Sequence, residues 1–119
     1  MTNKQIVGEF GEDLARKYLI KNGYDIIAGN IKIGYKEIDI IARKKELLVF
    51  VEVKTRTSSF YGEADEAVTA FKTNNLKQAV SAYLARKKNN YDDIRLDLVS
   101  VDIDKRKKTA KIRHYEDIA

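Results

Sequence analysis

From about Lys4 to Asn22 the apolar residues recur at helical spacing. Val7, Phe10, Leu14 and Tyr18 form one stripe, and Gly8, Gly11, Ala15 and Leu19 continue that face around its flank. Thr2 or Asn3 is placed to cap this helix, and Gly23 to end it in the left-handed region. Two glycines inside a helix cost about 1 kcal/mol each against alanine, so they point to close approach of a sheet. The period then changes. Tyr24 to Gly29 reads as a strand, Asn30 to Ile33 as its continuation or a second short one, and Gly34 permits a turn. Ile38, Ile40, Ile41 and Ala42 make one β-rich run, Arg43 to Glu46 a polar turn, and Leu47 to Val53 a second run, so this stretch reads as a hairpin. Thr57 to Glu63 has no sustained period and reads as a loop. Asp65 starts a helix to about Lys88, with a break expected near Thr73 to Asn75; Lys72, Leu76, Ala79 and Tyr83 share one stripe of it. Leu96, Leu98 and Ser100 alternate with Asp97, Val99 and Val101 in a later strand, Ile94 to Ile103. Asp104 to Lys108 then makes a charged turn before a closing strand, Thr109 to Tyr115. Helix, strands, helix, strands predicts an α/β domain whose mixed β-sheet is flanked by helices.

Two charges break the apolar pattern of the hairpin. Asp39 and Glu52 sit inside its strands, and an ionised carboxylate there costs free energy unless a partner compensates it. A turn centred near Lys44 and Lys45 brings Asp39 within a residue or so of Glu52, and alternation puts Glu52 and Lys54 on one face. Two carboxylates and the Val53 carbonyl are hard oxygen donors of the kind that Mg²⁺ or Mn²⁺ accepts while keeping several waters. An adjacent ammonium, Lys54, can stabilise charge on a phosphate or help orient attacking water. With 18 acidic residues in the chain, bare acid-x-Lys triplets arise by chance, so the weight rests on the setting. Glu52 heads the only such triplet and ends an apolar strand. The competing reading is an edge hairpin with an Asp39–Lys54 ion pair on a solvated face.

Asp39, followed on the next strand by Glu52-Val53-Lys54, resembles the signature of the PD-(D/E)xK nuclease superfamily. More narrowly, Glu37-Ile38-Asp39-Ile40-Ile41-Ala42 and Phe50-Val51-Glu52-Val53-Lys54-Thr55-Arg56 resemble the paired motifs of the small bacterial YraN-like proteins. Gly11-Glu12 with Ala15, Asn30, Lys72 after Ala67-Val68, and Arg95-Leu96-Asp97-Leu98-Val99 extend the similarity over nearly the whole chain. Lys32 stands where Arg is usual, and Lys36 where Gly is. The resemblance implies a restriction-endonuclease-like fold and a metal site in which Glu12 joins Asp39 and Glu52. Without it, Glu12 reads as one of several solvated helix acids beside Glu9 and Asp13. Glu37 is an outer partner of that site or a solvated strand end, and the Arg-x-Asp pair, Arg95 and Asp97, looks structural.

Composition narrows the picture further. The 119 residues suffice for a single domain, 1–119, and the 44% apolar fraction is ordinary for a globular chain. Charged residues reach 34% with a net charge of +5 and a pI near 9.3, which favours polyanions, nucleic acid first. There is no Cys, which excludes disulfides, thiolate metal sites and a cysteine nucleophile, and the one His, His114, argues against a multi-histidine metal site. No apolar run is long enough for a signal peptide or a membrane span, so a cytoplasmic protein without membrane partners is expected. Phe60 and Tyr61 either stack on bases or lid the core. The basic residues of the last hairpin, Lys105 to Lys108 with Lys111, add to a phosphate surface or protect an edge strand.

The reading that follows is a Mg²⁺- or Mn²⁺-dependent nuclease acting on DNA, with Asp39, Glu52 and Lys54 catalytic, Glu12, Asp39 and Glu52 on the metal, and Arg56 and Lys72 on phosphates. Resemblance to Holliday junction resolvases implies branched or structured DNA, and their symmetric two-strand cutting makes a homodimer a natural form. The alternative is a non-catalytic nucleic-acid-binding protein with the same fold; a third reading is a protein-interaction module using Phe60, Tyr61 and the basic surface.

Overall fold

The structure, a computed structural model, describes residues 3–57, 70–86 and 91–119. Helix α1 (Asn3–Lys21) leads to strands β1 (Asp25–Ile33), β2 (Lys36–Lys44) and β3 (Leu47–Arg56), then helix α2 (Ala70–Arg86) and strands β4 (Asp93–Asp104) and β5 (Thr109–Tyr115). The five strands form one sheet in the order β1-β2-β3-β4-β5. β3 and β4 run parallel, and the other neighbours are antiparallel. This is the mixed sheet flanked by helices that the pattern implies. The expected break near Thr73 to Asn75 is absent, because α2 runs unbroken through it. Phe60, Tyr61, Asp65, Ala67, Val68, Lys87 and Lys88 lie outside the described residues, as does the Lys72 side chain. Among the described residues no helix is long and apolar enough to cross a membrane.

The sheet carries a core on each face. Ala15 and Leu19 of α1 pack on Ile40, Ala42, Val49, Val51, Val99 and Val101. On the other face, Leu76, Ala79, Val80 and Tyr83 of α2 pack on Ile38, Ile41, Leu48, Phe50 and Leu96. The Phe50 and Tyr83 rings meet edge to face with centroids 5.8 Å apart. β4 is a central strand, hydrogen-bonded on both edges and covered on both faces, so everything from Leu96 to Ile103 is buried rather than every second residue.

α1 is seated deepest through the flank of the expected stripe: Gly11, Ala15 and Leu19 are buried, Val7, Leu14 and Tyr18 pack partly buried against the same core, and Phe10 alone of the stripe is 52% exposed. The cause is close approach: a Cβ on Gly11 would overlap the Thr55 side chain. A Cβ on Gly8 would meet nothing within 4 Å among the described residues, so Gly8 serves no such contact there. At the helix end Gly23 takes φ +91, the left-handed region expected of it, and Gly34 takes φ +62 in the turn that it was expected to permit between β1 and β2.

Candidate active site

The central hairpin is paired over only half its length. The β2–β3 register runs from Lys44↔Leu47 to Ile40↔Val51. Beyond that pair β2 stays with β1 as far as Lys36↔Ile33, and β3 stays with β4 as far as Arg56↔Asp102. The sheet forks there, and Asp39 is the first residue past the fork. Its carboxylate fills the gap, accepting from the Val53 N–H at 2.8 Å and so satisfying a donor that β2 leaves unpaired.

Glu52 follows Val51, the last β3 residue in the β2–β3 ladder. Asp39 and Glu52 line one cleft of about 510 Å³ with Tyr35, Lys36, Glu37 and Asn75. Burial and, next, the charge of Glu52 push the Asp39 carboxyl up to about 7, against the hydrogen bond from Val53; Glu12 and Glu37 push the same way as burial. The acids read from the two strand runs therefore do converge.

Glu12 approaches from α1. With its amide nitrogen turned toward them, Asn30 donates to Glu12 Oε1 and to Glu37 Oε1, both at 2.9 Å. Asn30 has φ +52, a left-handed conformation that asparagine tolerates better than most residues and that aims its side chain at both acids. Burial raises the Glu12 carboxyl above its ordinary range; Arg16 opposes the shift and Glu37 adds to it. Arg16 lies 3.7 Å from Glu12 and 2.7 Å from Asp13. Its guanidinium passes over Gly29, where a Cβ would sit 3.0 Å from Nη2. Sequence reasoning missed Arg16, since a basic residue four positions after Glu12 reads as an ordinary helix pair. The signal lay in Gly29, a glycine inside a strand, which marks close approach.

Lys54 is half-buried two residues beyond Glu52 on β3, at the register position of Ser100. Arg56, expected on phosphate, reaches Asp102 at 2.9 Å with a side chain only 13% exposed, and Arg113 approaches the same carboxylate at 3.6 Å. That engagement fits a clamp between β3, β4 and β5 better than a phosphate contact. Lys72 lies in α2, but its side chain is outside the described residues. Among the described residues no three His, Cys, Asp or Glu side chains stand ready to hold one metal ion. Two carboxylates in one cleft are nevertheless a donor set suited to Mg²⁺ or Mn²⁺, which need only one or two protein carboxylates and complete their shell with water.

A second polar cluster lies away from the cleft. Asp97 accepts from Arg95 Nε and Nη2, both at 2.8 Å, from His114 Nε2 at 2.7 Å and from the Asp117 N–H at 3.1 Å. Arg95 Nη2 also reaches the Tyr24 hydroxyl at 2.6 Å. The Arg-x-Asp pair is structural, as the sequence suggests.

The family model described as uncharacterised protein family UPF0102 matches residues 11–101. A UPF0102 protein of Syntrophomonas wolfei is 42% identical over 108 residues, covering 91% of this chain and 92% of its own. One from Symbiobacterium thermophilum is 47% identical over 96 residues, 81% of each chain. Among solved structures, an fdxN element excision controlling factor protein from Anabaena variabilis aligns with a TM-score of 0.49 at 13% identity, covering 90% of this chain and 98% of that one.

Proposed function

The chain belongs to the uncharacterised protein family UPF0102, the YraN-like family, and from its cleft of acids we propose that it is a metal-dependent nuclease hydrolysing phosphodiester bonds of DNA. One observation carries the reading: Asp39 and Glu52 share a cleft at the fork of the sheet, so close that burial and Glu52 together push the Asp39 carboxyl up to about 7. Paired, desolvated acids of this kind suit a hard divalent cation. Asp39 and Glu52 would hold Mg²⁺ or Mn²⁺, with Glu12 assisting. When bound, such a cation acts as a Lewis acid toward the scissile phosphate and lowers the pKa of an attacking water.

The chain's own residues do the rest. The Val53 N–H fixes the Asp39 carboxylate in one orientation. Asn30 ties Glu12 to Glu37, so the helix acid is set relative to the strands. Lys54, on the strand that carries Glu52, is assigned to stabilise negative charge on the phosphate in the transition state, and Lys72 to phosphate binding. The basic balance of the chain favours a polyanionic substrate.

A second reading, nucleic-acid binding without turnover, draws on the finding that no three acids among the described residues stand ready for one ion. Two measurements separate the readings. Titration calorimetry with Mn²⁺ is expected to show binding to the wild type and its loss in Asp39→Ala; no heat in either protein would remove the metal site. Incubation with linear, nicked and four-way DNA in Mn²⁺ is expected to give cleavage that Glu52→Ala abolishes. Binding without cleavage of any of the three leaves the non-catalytic reading.

A further inference from the structure

The rim of the acid cleft carries a fully exposed aromatic ring, Tyr35. Ile33 pairs with Lys36, so Gly34 and Tyr35 alone make the β1–β2 turn. Gly34 has φ +62 while Tyr35 does not enter the left-handed region, which is the pattern of a type II′ hairpin with glycine first. Such a turn matches the right-handed twist of its strands. Tyr35 is 109% exposed, the most exposed of the large hydrophobic side chains among the described residues, yet it lines the same cleft as Asp39 and Glu52. Lys36 lies beside it in that cleft, and Lys32 is exposed on β1.

We propose that Tyr35 is a stacking platform for an unpaired base, and that the cleft takes polynucleotides with a single-stranded segment next to the scissile bond. This rests on the nuclease reading for what happens to the strand once bound. The physical argument is one of available faces. A base inside a duplex is stacked on both sides and has no free face for the ring, whereas an unpaired base has one, and base–aromatic stacking tolerates any sequence. A cation on either side of the turn, Lys32 and Lys36, suits the phosphates flanking that base. An isolated surface tyrosine is unremarkable; one held on a two-residue turn at the mouth of an acid cleft, between two lysines, is placed to bind.

The test measures binding without divalent metal, so it does not depend on cutting. Fluorescence anisotropy compares a labelled oligothymidylate with a duplex of equal length, on wild type, Tyr35→Ala and Tyr35→Trp. Tyr35→Ala is expected to lose about tenfold in affinity for the single strand and little for the duplex, with Tyr35→Trp retaining both. An oligonucleotide carrying 2-aminopurine should change its emission with wild type and not with Tyr35→Ala. Equal affinities in all three proteins, a loss shared by strand and duplex, or no single-strand binding by the wild type each overturns the proposal. Mn²⁺-dependent cleavage with unchanged single-strand binding in Tyr35→Ala would sink the stacking role and spare the nuclease; the reverse pattern would do the opposite.

Discussion

Asp97 is a carboxylate with no solvent exposure that accepts hydrogen bonds from Arg95, His114 and the Asp117 amide. Burial alone would raise its pKa, but the donors outweigh burial and hold it below the usual carboxylate range. A native pKa below the unfolded one means that the unfolded chain binds more protons as pH drops through the ordinary carboxylate range. The stability contributed by Asp97 is therefore full above that range and is lost as pH falls through it toward the native value. Breaking a buried pair typically costs about 3–5 kcal/mol. Asp97→Asn is expected to lose about that much in urea unfolding at pH 7, with the gap to wild type narrowing at pH 3. A gap of equal size at both pH values would mean that charge is not what holds this corner. Asp97 and Arg95 were legible as a structural pair through the resemblance of Arg95-Leu96-Asp97-Leu98-Val99 to the late strand of the YraN-like proteins. His114, Tyr18 and Tyr24 were not, because their places in the cluster are set by contacts between β4, β5 and α1 far apart in sequence.

Between elements, one close contact of α1 with the sheet separates two glycines that the sequence does not distinguish. Gly8 and Gly11 look alike in the sequence, and both suggest close approach. Only Gly11 makes it, against Thr55. Gly8→Ala should therefore stabilise the protein by up to about 1 kcal/mol, since the helix gains propensity and the added methyl meets nothing. Gly11→Ala should destabilise it by roughly 1–3 kcal/mol, the usual cost of overpacking, because helix and strand must separate to admit the methyl. Urea midpoints of the two variants moving in the same direction would contradict this packing. The same contact explains why the helix lies where the period placed it, with its glycine flank seated deepest and Phe10 left outside. Periodicity fixes which residues share a stripe, while the depth of approach at a glycine decides which stripe turns inward. The strands and their turns were legible from alternation and polar breaks. The fork was not, since a hairpin pattern carries no mark of where its ladder stops, and without the fork the role of Asp39 as partner to the Val53 amide could not be read. Asp39 and Glu52 were visible because acids embedded in apolar strands are costly. The ion pair of Arg56 with Asp102 was not legible either, because it depends on the long-range parallel pairing of β3 with β4.

At the scale of the whole molecule, the sheet divides the interior into two cores that share a backbone but few side-chain contacts. Ile40 lies in the core under α1 and Ile41 in the core under α2, although they are adjacent in the chain. Ile41 is instead the register partner of Phe50, on the same face. Coupling between mutations follows shared contacts, and side chains on opposite faces of a sheet do not share them. Ile40→Val and Ile41→Val should each cost about 0.5–1.5 kcal/mol, and the double variant should lose their sum to within about 0.5 kcal/mol. Ile41→Val combined with Phe50→Leu should depart from additivity by more than that, because each opens space that the other's neighbours can relax into. Urea unfolding of the three single and two double variants, with unchanged m values, makes the comparison. Additivity in the second pair together with coupling in the first would mean that chain adjacency, not the face of the sheet, governs how this protein responds. The cleft acids belong to this same division: the β2–β3 ladder ends at Ile40 and Val51, and the cleft lined by Asp39 and Glu52 opens just beyond it, while Ile38 and Val53 past the fork still belong to opposite cores.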